Sequence, residues 1–147
     1  MEIKHQVINS EERYRVFKEL LQLSGLPTAD LNFKDHLLIG FFDGDDMVGT
    51  GALEIYGSNA LLRSLSVKLG IRGKSLGSSI SEKLIEEARL KNLKAIYLLT
   101  ESARDFFLKK GFQDIPREKV PPEVQRASEF SKICSPKANV MVYSLMN

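Results

Sequence analysis

The stretch Ala60 to Arg89, ALLRSLSVKLGIRGKSLGSSISEKLIEEAR, constrains the fold more than any other part of the chain. Ala60 to Val67 is apolar enough for a buried strand, Gly70, Arg72, Gly73 and Lys74 form a turn, and from Ser75 onward Leu76, Ile80, Leu84 and Ala88 recur at helical spacing. A strand that passes through a glycine turn into a helix aims unpaired N–H groups and the positive end of the helix dipole at one point, a geometry suited to phosphate. A further apolar run, Ala95 to Leu99, makes the order strand, helix, strand. That order predicts a right-handed parallel crossover, with binding at the carboxyl ends of its strands.

Two familiar phosphate loops fail on spacing. A nucleoside-triphosphate loop ending in Gly73-Lys74-Ser75 needs a glycine where Lys68 stands, and no Gly-x-Gly-x-x-Gly occurs here. Arg72-Gly73-Lys74-Ser75-Leu76-Gly77 instead resembles the Gln/Arg-x-x-Gly-x-Gly/Ala turn of the GCN5-related N-acetyltransferases, whose amides bind the pyrophosphate of acetyl-coenzyme A. Ser75 replaces one glycine of that pattern: either its hydroxyl caps the helix, or its Cβ weakens the phosphate site. Ala103 to Phe112, ARDFFLKKGF, is similar to the family's second motif, Phe-Tyr-x-x-x-Gly-Phe. Phe107 stands where many members carry a tyrosine that protonates the leaving thiolate, so that acid is absent.

LLRSLSV, LLTESARDFF and the C-terminal PPEVQRASEFSKICSPKANVMV narrow the resemblance to small amino-acid N-acetyltransferases, like the acetyltransferase half of N-acetylglutamate synthase and the arsenic-resistance acetyltransferases. The resemblance implies one α/β (α+β) domain over residues 1–147, with a mixed, mostly antiparallel sheet splayed at the crossover and flanked by helices. It implies acetyl-CoA as co-substrate, no metal, and a small amino-acid-like amine as acceptor. It places the main chain of Leu65, Ser66 and Val67 along the pantetheine arm, with the Val67 amide as oxyanion donor. Arg72, Gly73, Lys74, Ser75, Leu76, Gly77 and Ser78 then surround the diphosphate, and Phe106 lines the coenzyme groove unless it packs in the core. Thr100 and Ser102 bond the pantetheine, substitute for the missing tyrosine, or cap the next helix.

Composition narrows the partners. A net charge of +2, with basic and acidic residues interspersed, gives no footprint for nucleic acid. The single cysteine, Cys134, and two histidines, His5 and His36, form no zinc motif, and Cys134 lacks a neighbour that would activate it as a nucleophile. The longest apolar run, Leu37 to Phe42, is far too short to cross a bilayer, and no signal-peptide core opens the chain. The expectation is a cytoplasmic protein with neither nucleic-acid nor membrane partner, homodimerisation being left open.

The remaining elements follow from local patterning. Ile3 to Ile8 reads as a strand, and Asn9 with Glu12 as a capping box for a helix carrying Tyr14, Phe17, Leu20 and Leu21. Gly25 and Pro27 end that helix, and Thr28 to Phe33 reads as a helical turn beside the cleft. His36 to Phe42, Met47 to Tyr56 and Ala60 to Val67 form an antiparallel meander, its first turn holding the solvated Asp45 and Asp46. A helix from Thr100 stops at Gly111, another spans Glu123 to Ile133 behind Pro121-Pro122, and Asn139 to Leu145 is an interior strand.

Acetyl transfer to an amine needs a proton acceptor, an oxyanion donor and a held substrate. Glu54, an acid in an apolar strand, is the candidate base, against a solvent-facing strand residue. Arg63 sits among leucines and needs an anion: the acceptor's α-carboxylate in a bidentate fork, assisted by Ser64, or an internal partner such as Glu54. Arg126, Ser135 and Lys137 would approach the acceptor from the C-terminal side. Three functions follow: acetylation of an amino-acid α-amine, acetylation of a cationic amine, antibiotic or protein N-terminus, and a non-catalytic acyl-CoA sensor.

Overall fold

The computed structural model describes residues 2–71, 75–127 and 137–145. The turn residues Arg72, Gly73 and Lys74, the Cys134 and Ser135 segment, and the expected last helix beyond Ala127 lie outside them; within them that helix ends at Gln125, and Arg126 and Ala127 are not helical. Strands β1 (Ile3–Val7), β2 (Leu37–Asp43), β3 (Asp46–Tyr56), β4 (Asn59–Val67), β5 (Ala95–Thr100), β6 (Gln113–Asp114) and β7 (Asn139–Ser144) form one sheet in the order β1-β2-β3-β4-β5-β7-β6. Among the described residues only β4 and β5 run parallel, joined through α2 (Leu76–Leu90) as the strand, helix, strand order requires. The interior strand at the C-terminus is β7, between β5 and the two-residue β6 that sequence patterning missed.

Alternation along the strands divides the core between two faces. Leu62, Ile96, Leu98 and Met141 meet Leu76, Ile80, Leu84 and Ala88 of α2, together with Phe107 of α3 (Arg104–Lys109). On the opposite face, Leu38, Met47 and Ala52 cover Phe17, Leu20 and Leu21 of α1 (Glu11–Leu23), while Leu61, Tyr97 and Val140 cover Val124 of α4 (Pro122–Gln125). Helix α2 comes close because β3 is bare beneath it. A Cβ on Gly49 would stand 2.8 Å from Ile80 Cδ1, and one on Gly51 would stand 2.8 Å from Ile80 Cγ2 and 2.9 Å from Leu84 Cδ1.

Two local expectations are corrected. Helix α1 is capped by Ser10, not Asn9: Ser10 is extended and its Oγ accepts the Arg13 N–H at 3.3 Å. Thr28 to Phe33 forms a turn closed by Leu31 N–H to Thr28 O at 3.1 Å, with no helix. It carries Asp30, whose carboxylate accepts from Arg63.

Gly111 stops α3 as expected, and its φ of +102° is one that a side chain adopts only with strain. A Cβ there would also stand 2.9 Å from the Tyr143 ring. Gly111→Ala is therefore expected to lower unfolding free energy by about 1–3 kcal/mol, read as a shift in urea midpoint at constant m.

Candidate active site

Strands β4 and β5 pair only from Asn59 against Ala95 to Leu61 against Tyr97. Beyond that point β5 continues alongside β7 to Thr100, while β4 continues alongside β3 to Val67. The two strands separate, and a cleft of about 700 Å³ opens between them. Leu62, Arg63, Ser64 and Leu65 form one wall; Leu98, Leu99, Thr100, Glu101 and Ser102 form the other. Gly25 to Pro27, Gly77, Phe106, Phe107 and Ala138 complete it.

A bulge in β4 marks where the wall begins. Ala52 pairs with Arg63 and Thr50 with Ser66, so Gly51 faces both Ser64 and Leu65. Ser64 takes φ +62°, the left-handed region that a serine enters at a cost, and Thr50 holds the distortion by donating its hydroxyl to Ser64 O at 2.7 Å. The Thr50 and Ser66 hydroxyls also lie 2.6 Å apart, which spends the Ser66 side chain inside the sheet. Lys68 N–H bonds Val48 O at 2.8 Å. By the alternation of an antiparallel ladder, the Val67 N–H then points to the opposite edge of β4, the one β5 has left. Val67 and Ser66 nonetheless lie outside the residues lining the cleft, of which Leu65 is the last on this strand.

At the opening of α2, Ser75 occupies the cap position, but its φ of −109° and ψ of −14° are helical and its side chain makes no capping bond. The capping role offered for Ser75 is therefore corrected: the hydroxyl closes none of the amides of Leu76, Gly77 and Ser78. No acidic residue sits in this first turn, whereas α1 begins with Glu11 and Glu12. No acid of its own first turn neutralises the positive end of α2. Gly77 reaches the cleft, and a Cβ on it would lie 3.7 Å from Phe106, an ordinary contact. Phe106 lines the groove and meets Phe107 edge-on at 5.0 Å, and Phe107, with its ring 5.4 Å from Phe112, belongs to the core. Thr100 Oγ1 accepts the Ala103 N–H at 2.9 Å in the turn ahead of α3, whose cap residue is Ala103 with no side-chain capping bond, so neither Thr100 nor Ser102 caps that helix; Ser102 is exposed on the cleft wall.

The polar residues of β3 and β4 form a buried cluster. Arg63 has a side chain 0% exposed; its Nη1 donates to Asp30 Oδ2 at 2.7 Å and Glu54 Oε1 at 3.3 Å, its Nη2 to Pro27 O at 3.1 Å, and its Nε to Ser64 Oγ at 3.3 Å. Glu54 Oε2 lies 2.9 Å from His36 Nε2 and accepts the Tyr56 hydroxyl at 3.0 Å. Burial pushes the Glu54 carboxyl up, but the His36 hydrogen bond and charge, and Arg63, outweigh it and hold the group below its ordinary range. Asp30 is likewise held low, since its bond to Arg63 overcomes its burial. Burial and the neighbouring Glu54 raise the Tyr56 hydroxyl, which stays protonated.

This geometry changes two expectations. Glu54 does not line the cleft, and its partners hold its carboxyl below the ordinary range. Arg63 is satisfied by Asp30 and Glu54, the internal alternative, so its fork is not vacant for a substrate carboxylate. His36 and Asp30 escaped sequence reading because their partners are distant in the chain, Asp30 reaching Arg63 across 33 positions. Arg126 and Lys137 lie apart from the lining residues, where Ala138 stands instead.

Among the described residues no group of histidine, cysteine, aspartate and glutamate could hold a metal, and no helix is long and apolar enough to cross a membrane.

A model of the acetyltransferase (GNAT) family matches residues 5–112. Among solved structures, N-acetylglutamate synthase from Neisseria gonorrhoeae, complexed with coenzyme A and N-acetyl-glutamate, aligns with a TM-score of 0.81 at 13% identity. That alignment covers 100% of this chain but 36% of the synthase chain. A GNAT-family acetyltransferase from Staphylococcus aureus Mu50 aligns at TM-score 0.76 and 18% identity, over 99% of this chain and 100% of its own. Rv2747 from Mycobacterium tuberculosis, in complex with CoA, gives 0.76 and 20%, with the same coverage. Identities this low speak for the fold alone, and it is the family match, over most of the chain, that assigns it: this protein belongs to the acetyltransferase (GNAT) family.

Proposed function

We propose that the protein is an acetyl-CoA-dependent N-acetyltransferase acting on a primary amine of a small molecule. The observation that carries this reading is the cleft between β4 and β5, with the uncapped, acid-free start of α2 at Gly77 on its border. Those features fit the coenzyme: the Leu76, Gly77 and Ser78 amides suit a diphosphate, and the separated edge of β4 offers main-chain partners to an amide-bearing arm. Arg72, Gly73 and Lys74 belong to the same turn in the sequence. Acetyl-CoA would supply the activated acyl group.

The chain's own groups then position and polarise. The Val67 N–H, directed to the open edge of β4, is the donor for negative charge developing at the thioester oxygen. The Ser64 bulge sets the course of the strand that carries it, and Phe106 with Leu98 and Leu99 excludes water. Proton removal from the amine falls to solvent or to a cleft group, not to Glu54.

An amino-acid α-amine remains the acceptor that the sequence motifs favour. Its anchor was Arg63, and with that fork engaged the preference for a carboxylate-bearing acceptor loses its physical support.

Thiol release from acetyl-CoA with a panel of small amines, alongside calorimetry with coenzyme A, tests the reading. Absence of coenzyme binding would overturn it; binding without release from any amine would favour the sensor.

The low pKa of Glu54 gives a further expected result. Between about pH 6 and 9 it is ionised throughout, so kcat/KM should rise with the acceptor ammonium's own ionisation and shift when the acceptor's pKa changes. A limb fixed at one pH for every acceptor would instead identify an enzyme base.

A further inference from the structure

We infer that the acceptor is a polycationic amine, one with a second ammonium and no carboxylate. This rests on the acetyl-transfer reading above and names its substrate class. Three observations carry it. First, a carboxylate entering the cleft meets a guanidinium already bonded to Asp30, Glu54, Pro27 and Ser64, with no solvent-exposed side-chain surface. It could bind only by displacing a carboxylate of the protein.

Second, the cluster behind that wall has acceptor capacity to spare. Asp30 and Glu54 share one guanidinium, and Tyr56 contributes a neutral hydroxyl. His36 Nδ1 accepts the Asn32 N–H at 3.4 Å while Nε2 lies 2.9 Å from Glu54 Oε2. Asp30 Oδ1 is buried without a hydrogen-bond partner among the described residues, so acceptor capacity exceeds donor capacity. In the low dielectric behind Pro27 and Arg63 this excess acts across the wall and favours a cation over an anion.

Third, Glu101 is exposed on the opposite wall and makes no hydrogen bond or ion pair among the described residues. Among the described residues, Arg63 and Glu101 are the charged residues lining the cleft, and Arg63 is neutralised from behind. Among the described residues, a ligand in the cleft therefore meets one exposed formal charge, and it is negative. A diamine places one nitrogen at the thioester and offers the other to Glu101.

The test compares putrescine with ornithine, which differ by one carboxylate, and putrescine with butylamine, which differ by one ammonium. Thiol release is followed with the full chain and acetyl-CoA. The expected kcat/KM order is putrescine over both others by about tenfold or more, and Glu101→Gln should narrow the preference over butylamine at least about threefold through KM. Ornithine equal to or better than putrescine, an unchanged preference in Glu101→Gln, or release from no amine despite coenzyme binding would each overturn the inference while leaving coenzyme recognition standing. Failure of coenzyme A to bind in calorimetry would bring down the acetyl-transfer reading, and this inference with it.

Discussion

Replacing Arg63 by methionine should remove about 3–5 kcal/mol of stability, a large part of the total for a domain of this size. The volume is kept, so the loss is electrostatic: Glu54, with 3% of its side chain exposed, and Asp30 lose their shared cation. Urea unfolding at pH 7 measures it. The deficit should shrink in acid, and the sign follows from the shifts. Both carboxyls have folded pKa values below their ordinary ones, so their contribution is complete above the unfolded values, near pH 4 to 4.5, and fades as pH falls through the folded ones. In the variant they lose that advantage, and the two proteins converge toward low pH. A loss that did not vary with pH would mean that packing, not charge, is what Arg63 supplies.

Ser78→Asp should produce the second large effect, with opposite signs in two measurements. Ser78 lies in the first turn of α2, where a carboxylate complements the helix dipole and adds roughly 0.3–1 kcal/mol to stability. The same charge would face the diphosphate. At a separation of about 6 Å and an effective dielectric near 20 the repulsion is about 2–3 kcal/mol before screening, so the Kd for coenzyme A should rise roughly ten- to a hundredfold. A Tm held or raised, together with weakened binding, would locate the diphosphate at this helix end; unaltered affinity would place it elsewhere.

The elements were legible where periodicity is long and local. The β2 to β4 meander, α2 and the parallel step to β5 follow from alternation, helical spacing and glycine placement in contiguous residues. Helix α1 was misread by one residue at its cap, because Asn9 and Ser10 are both good caps and only backbone geometry chooses between them. What stayed hidden is tertiary. Nothing in LLRSLSV announces that Ser64 turns left-handed, since the cause is a two-against-one register with Gly51 on another strand. The burial of Glu54 and Arg63 was foreseeable from their apolar neighbours, yet their partners come from a turn, a strand start and a tyrosine that no spacing rule connects. Glu101 was passed over because an exposed acid before a helix reads as ordinary solvation.

Helix α2 rests on naked backbone at Gly49 and Gly51, with Ile80 and Leu84 filling the space that side chains would take. A methyl group at either glycine would act as a shim, tilting the whole rod and displacing its far tip by leverage. Such a lesion, seated deep in the interior, would register at the bench as poor coenzyme affinity, and a mutational survey that sorted positions by proximity to the ligand would overlook its origin.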